Sequence, residues 1–294
     1  MPIELLDKAR LFDGADVTLM RREDRWWMIM GELADPAVPR IDLRAAHLLR
    51  GATADRTEWT IVGQCAAPAP ADGWDATGYH CVSYVRGRSG GRWVERLYYA
   101  SSAAWTDITG PYSIGFLEWD GSQWVRHPEP VFTATEPWER GTVAEPNLLH
   151  HDGRWLLWYC AGLSTDGTQV IGFAESPDGV TGWTGRRIFA ADGEFDALVV
   201  ASGTGFDLVT AKHPLVAAPG PDDGVWWARS GTLGQWPAPV RLVSTTDGTS
   251  WHRDGVWKPS LVREGDSLVV FFNGSRREGR SPGLSVGRVH YRLR

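Results

Sequence analysis

Three carboxylic acids and one lysine stand at the starts of apolar segments in four widely separated parts of the chain. They are Asp16, Glu145, Asp196 and Lys258. Carboxylates that converge on one point cannot all ionise freely, so the pKa of one rises while that of another stays low. Such a set supplies a proton donor and a proton acceptor. A single Asp before a strand is as often a turn residue that accepts backbone N–H bonds, so the shared position of the four residues carries the functional interpretation.

The four positions belong to an internal repeat. Residues 145–159 read as an apolar strand, an Asp-Gly turn and an aromatic-rich strand, which is the pattern of a β-hairpin. Similar hairpins occupy residues 16–30, 196–209 and 258–272, and a stretched fifth copy spans 79–99. Their spacing of about 50 to 70 residues is typical of a four-stranded propeller blade.

Two further strand candidates follow each hairpin, so the sequence predicts an all-β, five-bladed β-propeller with four-stranded antiparallel blades. We expect a single domain over residues 1–294. Residues 9–12 resemble an outermost strand, and 286–293 resemble a third strand without a fourth, so the N-terminal strand is expected to complete the last blade and close the ring. An antiparallel sandwich is the alternative. Helical periodicity is almost absent, and its best candidate is 41–50.

The amino-acid composition indicates which classes of binding partner the protein has. The net charge of −6 disfavours binding to nucleic acid phosphates. Three cysteines without metal-type spacing indicate thiols in a reducing compartment, and the sequence has neither a secretion signal nor a membrane-spanning apolar run. We therefore expect a cytoplasmic monomer that binds a small molecule, with no metal, no cofactor and no membrane association. The seventeen Trp suit stacking on sugars or on protein partners.

Several residues near the four positions are candidates for substrate binding. In the second blade Asp75 precedes the apolar strand by several residues, and His80 is nearer the equivalent place. Lys258 faces the acids and would lower the pKa of a neighbouring carboxylate or pair with an anionic substrate group. The complete set is Asp75, His80, Trp138, Arg140, Trp257 and Lys258. A loop ion pair for Arg140 and a buried core histidine for His80 are the simpler interpretations.

The strand starts at Asp16, Glu145-Pro146 and Asp196-Ala197 resemble those of five-bladed propeller glycosidases, namely glycoside hydrolase family 43 and the related family 32. The resemblance implies that Asp16 is the catalytic base. Glu145 lies where family 43 has a pKa-modulating Asp, and Asp196 lies where it has the general-acid Glu. The two acidic residues are thus exchanged in type, and either Asp196 or Glu145 could be the acid.

These observations predict a glycoside hydrolase that cleaves a small arabinose- or xylose-type glycoside by carboxylate chemistry at the central funnel. The family resemblance implies inversion of configuration. Two alternatives keep the propeller: a non-hydrolytic enzyme, such as a phosphorylase or a lyase or cyclase of small-molecule biosynthesis, and a sugar-binding protein without catalysis. The sequence contains no phosphate-binding loop, no HExxH, no CxxC and no GxSxG.

Overall fold

Twenty strands form five four-stranded antiparallel sheets. The structure is a computed structural model, and it describes residues 2–35, 38–105, 110–163, 168–191, 194–212, 220–278 and 281–294. The chain begins with β1 (Ile3–Asp13), and the first blade contains β2 (Ala15–Arg22), β3 (Arg25–Asp35), β4 (Val38–His47) and β5 (Thr60–Gln64). The second blade contains β6 (His80–Ser89), β7 (Arg92–Ser101), β8 (Ser113–Trp119) and β9 (Trp124–Arg126).

The remaining three blades follow the same order along the chain. The third contains β10 (Val143–His151), β11 (Arg154–Ala161), β12 (Val170–Ser176) and β13 (Thr184–Ala190). The fourth contains β14 (Glu194–Ser202), β15 (Gly205–Lys212), β16 (Gly224–Ser230) and β17 (Val240–Ser244), and the fifth contains β18 (Gly255–Glu264), β19 (Ser267–Glu278) and β20 (Ser281–Leu293). Helical structure in the described part of the chain consists of two 3₁₀ turns, Pro137–Glu139 and Ser250–His252.

The N-terminal strand closes the ring as predicted. β1 pairs antiparallel with β20 from Ile3 opposite Leu293 to Asp13 opposite Ser285, so the fifth sheet has the order β1-β20-β19-β18. The first strands of the blades, β2, β6, β10, β14 and β18, contact one another around the centre. The predicted five-bladed propeller is therefore confirmed, and the sandwich alternative is wrong. The best candidate for helical periodicity, 41–50, does not form a helix, because β4 runs through residues 38–47.

The core lies between neighbouring blades. Five of the buried apolar clusters each join residues of two successive blades, including the pair formed by the fifth blade and the first. At the interface of the second and third blades, the rings of Tyr98 and Trp155 are 6.1 Å apart, and both side chains are fully buried. The indole N–H of Trp155 donates a hydrogen bond of 2.9 Å to the carbonyl of Arg88 across the same interface. Packing of aromatic faces between sheets thus fixes the angle between blades.

A recurring unit anchors the loop before the inner strand in three blades; we call it the Trp clip. In the second blade, Trp74 stacks on Tyr99 with ring centroids 5.8 Å apart. The next residue, Asp75, accepts a hydrogen bond of 2.7 Å from the Tyr99 hydroxyl and bonds of 2.6 and 2.7 Å from Arg126 on β9. The clip therefore ties the loop to both the second and the outermost strand of its blade.

The third and fifth blades repeat the Trp clip. Trp138 stacks on Tyr159 at 6.1 Å, and Glu139 accepts bonds of 2.6 Å from the Tyr159 hydroxyl and 2.7 Å from Arg186 on β13. In the fifth blade, the corresponding pairs are Trp251 on Phe272, at 5.5 Å, and His252 with Lys8 of β1, at 3.5 Å. Glycines on the third strands, Gly115, Gly172 and Gly287, leave the room that these aromatic rings occupy.

Candidate active site

A β-bulge at the start of the inner strand brings one side chain from each blade to the channel. Register shifts occur there in all five blades. Four of the residues have left-handed backbone conformations: Asp16 with φ 58°, Cys81 with φ 56°, Glu145 with φ 49° and Lys258 with φ 48°. Each such non-glycine conformation costs about 1–3 kcal/mol, and strain of this kind concentrates at functional sites. Asp196 follows the bulge of the fourth blade.

Asp16 is a half-buried carboxylate surrounded by donors. Its Oδ2 accepts a 3.0 Å hydrogen bond from the backbone N–H of Cys81. Its Oδ1 accepts 3.0 Å from the side-chain amide of Asn273 and 3.4 Å from the indole N–H of Trp257. All three partners donate, so they hold the carboxyl group of Asp16 in one orientation.

Glu145 is almost completely buried, with 4% of its surface exposed. The thiol of Cys81 donates to Oε1 at 2.6 Å, while Oε2 lies 3.7 Å from the Lys258 ammonium. Burial, and next the negative charge of Asp196, raise the pKa of Glu145 well above its usual value, although Lys258 acts against the rise. This direction makes Glu145 the candidate proton donor of the ring.

Asp196 has no exposed surface, and its Oδ2 accepts a 2.7 Å bond from the backbone N–H of Lys258. Burial raises its pKa, whereas the Lys258 charge, the Lys258 N–H and a hydrogen bond with Glu145 oppose the rise. With both carboxyls ionised, Glu145 Oε2 and Asp196 Oδ1 have no hydrogen-bond donor among the described residues. If Glu145 carries a proton and donates it to Asp196, both of these oxygens take part in a hydrogen bond.

Lys258 and Cys81 complete the ring, and neither opens widely to solvent. Lys258 is 1% exposed, and its ammonium donates to the carbonyl of Pro146 at 3.1 Å and to Asn147 Oδ1 at 3.4 Å. The ammonium of Lys258 is therefore not exposed for the predicted contact with an anionic substrate group. Burial raises the pKa of the Cys81 thiol well above its usual value, with Asp16 and Glu145 adding to the effect, so the group donates as a neutral thiol.

The other predicted substrate-binding residues differ in where they lie. Trp257 contacts Asp16 and is half-buried at the ring. His80 precedes Cys81, and its Nε2 lies 3.1 Å from the Thr77 carbonyl. Its pKa is lowered by burial, so the imidazole is neutral. Arg140 is exposed, with a 2.6 Å hydrogen bond to the Thr168 hydroxyl.

Asp75 and Trp138 belong to Trp clips instead of the ring. Both carboxylate oxygens of Asp75 bind Arg126, and the side chain is fully buried. One face of Trp138 lies against Tyr159. Both residues thus have structural contacts that account for their positions without a ligand.

Sequence reasoning missed Cys81 and Asn273. The stretched second hairpin was aligned on residues 78–80, whereas the bulge falls one residue later; the left-handed position equivalent to Glu145 is Cys81. Asn273 lies on the second strand of the fifth blade, opposite Trp257. No repeat of the inner strands could reveal a donor on a second strand, but the polar residue between Phe272 and Gly274 in an apolar strand is a usable signal.

The described residues contain no group of three or more His, Cys, Asp or Glu side chains arranged to hold a metal ion. They also contain no helix long and apolar enough to cross a membrane. The chemistry that the ring itself offers is proton transfer, since it joins the carboxyl group of Asp16 to two buried carboxyls whose pKa values are raised by burial.

The sequence matches no protein-family model and no curated protein, but many solved structures share its fold. An exo-1,5-α-L-arabinanase from a bovine ruminal metagenomic library superposes with a TM-score of 0.64 at 13% identity, over 95% of this chain and 93% of that one. The catalytic domain of the Coprinopsis cinerea GH62 α-L-arabinofuranosidase gives 0.62 at 12% identity, over 96% and 95%. RS223-β-xylosidase gives 0.64 at 10% identity, over 97% and 94%. The resemblance to five-bladed propeller glycosidases is thus confirmed at the level of the fold.

Proposed function

We propose that this protein is a glycoside hydrolase acting on a small arabinose- or xylose-type glycoside. The observation that carries the proposal is the ring itself: the Asp16 carboxyl group, held by three donors, adjoins the buried pair of Glu145 and Asp196, and burial raises the pKa of both members of that pair. Glycoside hydrolysis needs one carboxylate and one protonated carboxyl on the two sides of the scissile bond. The names of the solved structures with this fold support the class of sugar.

In the proposed mechanism, Asp16 is the general base that activates water for attack on the anomeric carbon. The donors around it fix its orientation. Glu145 is the general acid, because burial and the charge of Asp196 raise its pKa well above the usual value and its side chain is one methylene longer than that of Asp196. Asp196 accepts the hydrogen bond of Glu145 and modulates its proton affinity. Attack by water without a covalent intermediate inverts the anomeric configuration.

Three side chains are proposed to contact the sugar. Trp257 donates to Asp16 and offers an aromatic surface for a sugar ring. Neutral His80, which precedes the ring residue Cys81, and the exposed guanidinium of Arg140 are proposed hydrogen-bonding partners of sugar hydroxyls.

The first experiment measures turnover of aryl α-L-arabinofuranosides and aryl β-D-xylosides by the wild type, by Asp16→Asn and by the control Asp72→Asn, which changes an exposed carboxylate. Loss of the base should lower kcat/KM by about 10²–10⁴-fold, with the control unchanged. Proton NMR of the first-formed sugar anomer tests inversion. A wild type inactive on the whole panel, or an Asp16→Asn variant as active as the wild type, contradicts the proposal.

The second experiment identifies the acid from the leaving group. A general acid matters for a poor leaving group such as phenol and little for dinitrophenol, which departs without a proton. We therefore expect Glu145→Gln to lose activity on phenyl glycosides far more than on dinitrophenyl glycosides, while Asp196→Asn lowers both by a similar factor. The reverse pattern would assign the acid to Asp196.

A further inference from the structure

We propose that Lys258 is a positioning residue that sets the protonation of the Glu145–Asp196 pair: its backbone N–H favours ionised Asp196, and its ammonium limits how tightly Glu145 holds the shared proton. The kinetic part of this proposal rests on the proposed function, but the protonation itself can be measured without turnover. The residue would act through the two carboxyls and would not touch the substrate.

The contacts of Lys258 reach both members of the pair. Its left-handed backbone, with φ 48°, directs its N–H to Asp196 Oδ2 at 2.7 Å. Its side chain returns across the ring, so that the ammonium lies 3.7 Å from Glu145 Oε2. The carbonyl of Pro146 and the amide oxygen of Asn147 hold the ammonium there. One residue therefore binds one acid with its main chain and faces the other with its charge.

The hydrogen bond from the backbone N–H of Lys258 makes the environments of the two carboxyls different. Asp196 receives a backbone donor, which stabilises a carboxylate, whereas Glu145 receives the thiol of Cys81 on its other oxygen. The ammonium lies in a site without solvent, where charges interact more strongly than at a surface. The titratable side chains that face the pair are Asp16, Cys81, Cys160 on β11 and Lys258 itself. Of these, Lys258 alone is positive.

The geometry also explains why Lys258 is buried. An isolated buried ammonium is costly, and it persists where anions and oxygen acceptors surround it. Three oxygens on the third blade surround the Nζ of Lys258, and the negative charge shared by Glu145 and Asp196 balances it. We expect the pair to carry one proton, since none would leave two unpaired carboxylate oxygens and a second would remove the negative charge that lies nearest to the ammonium.

The test is a titration of the carboxyl carbons by NMR, with ¹³C-labelled Glu and Asp, in the wild type and in Lys258→Met. Glu145→Gln and Asp196→Asn assign the two signals. In the wild type we expect Glu145 protonated and Asp196 ionised at pH 7. Because Lys258 lowers the pKa of both carboxyls, its removal should move the Glu145 midpoint up by at least about one pH unit, a tenfold change in proton affinity.

Kinetics give the second readout. The alkaline limb of kcat/KM, where the acid loses its proton, should move to higher pH in Lys258→Met by the same amount and return in Lys258→Arg. A residue with only a packing role would lower kcat without moving the profile. A folded Lys258→Met, or Lys258→Gln if Met is not tolerated, with unchanged carboxyl midpoints overturns the proposal. So does a wild type in which the pair carries two protons or none at pH 7, whatever the variants do.

The two proposals fail separately. If the wild type cleaves no glycoside but the carboxyls titrate as described, the hydrolase assignment is wrong and the role of Lys258 stands. If turnover is found and the midpoints do not move, the hydrolase assignment stands and the role of Lys258 is wrong.

Discussion

Replacing Asp75 by Ala should destabilise the fold and leave catalysis intact, although the sequence placed this residue with the substrate. Asp75 has no exposed surface, whereas the side chain of Arg126 is 20% exposed. Removing one partner of a buried pair costs about 3–5 kcal/mol. Since Arg126 can rehydrate in part but the Tyr99 hydroxyl also loses its acceptor, we expect about 3 kcal/mol. At about 2–4 °C per kcal/mol, the melting temperature should fall by about 6–12 °C.

The assay is urea unfolding followed by tryptophan fluorescence, with KM and kcat measured well below the melting temperature. Glu139→Ala, the same change in the Trp clip of the third blade, should cost a similar amount. Asp72→Ala removes an exposed carboxylate from the same loop as Asp75 and should stay within about 0.5 kcal/mol of the wild type. A stable Asp75→Ala with a raised KM would refute the Trp clip and return Asp75 to the substrate.

Two further predictions concern the fifth blade. A Cβ at Gly287 would collide with the Trp251 ring, so Gly287→Ala should cost about 1–3 kcal/mol in urea unfolding, while Gly234→Ala, which has open space, should cost little; equal stabilities would contradict the packing argument. Burial lowers the pKa of His252 to about 4, so the unfolded chain binds more protons between pH 4 and about 6.5. Stability should therefore fall as the pH is lowered through this window, and the wild type should lose up to about 1.4 kcal/mol per pH unit more than His252→Gln does; parallel curves would show that His252 is not the cause.

The fold could be predicted from the sequence because each repeat is recognisable from the pattern of residues close together in the chain. Each blade shows its hairpin as alternating apolar strands around a turn, and the apolar faces in successive copies then require one another as partners. Even the closing strand was visible, since residues 9–12 have the pattern of an outermost strand and no hairpin partner near them. Such inference needs only periodicity, which the propeller preserves in all five copies.

The sequence is least informative where tertiary neighbours decide the outcome. Residues 41–50 carry Leu, Arg and Ala, which are good helix formers, yet β4 lies between β3 and β5, where sheet pairing on both edges overrides propensity. The same limit applies to Asp75. A carboxylate near a predicted funnel looks functional until its partner is known, and Arg126 is 51 residues away.

A signal for Asp75 was nevertheless present in the sequence. Trp-Asp at 74–75, Trp-Glu at 138–139 and Trp-His at 251–252 all precede inner strands by a few residues. Alignment of these pairs would have assigned Trp138 and Asp75 to one structural unit. It would also have aligned Cys81 with Glu145, since Trp74 and Trp138 each stand seven positions before the left-handed residue of their blade, as Trp251 does before Lys258.

The exchange of acid types has a consequence for the substrate. The bulge gives each blade one side chain at the ring, and Glu145 shares its left-handed backbone with Asp16, Cys81 and Lys258 but not with Asp196. With Glu145 as the acid, the longer carboxyl projects from the third blade, and the fourth blade contributes the shorter Asp196, which is held by Lys258. The glycosidic oxygen must then lie on the side of the ring nearer to the second blade, whereas an acid on the fourth blade would place it on the side nearer to the fifth. A substrate whose aglycone is fitted to an acid on the fourth blade should therefore be cleaved poorly, and a double replacement, Glu145→Asp with Asp196→Glu, should change the preferred glycoside as well as the rate.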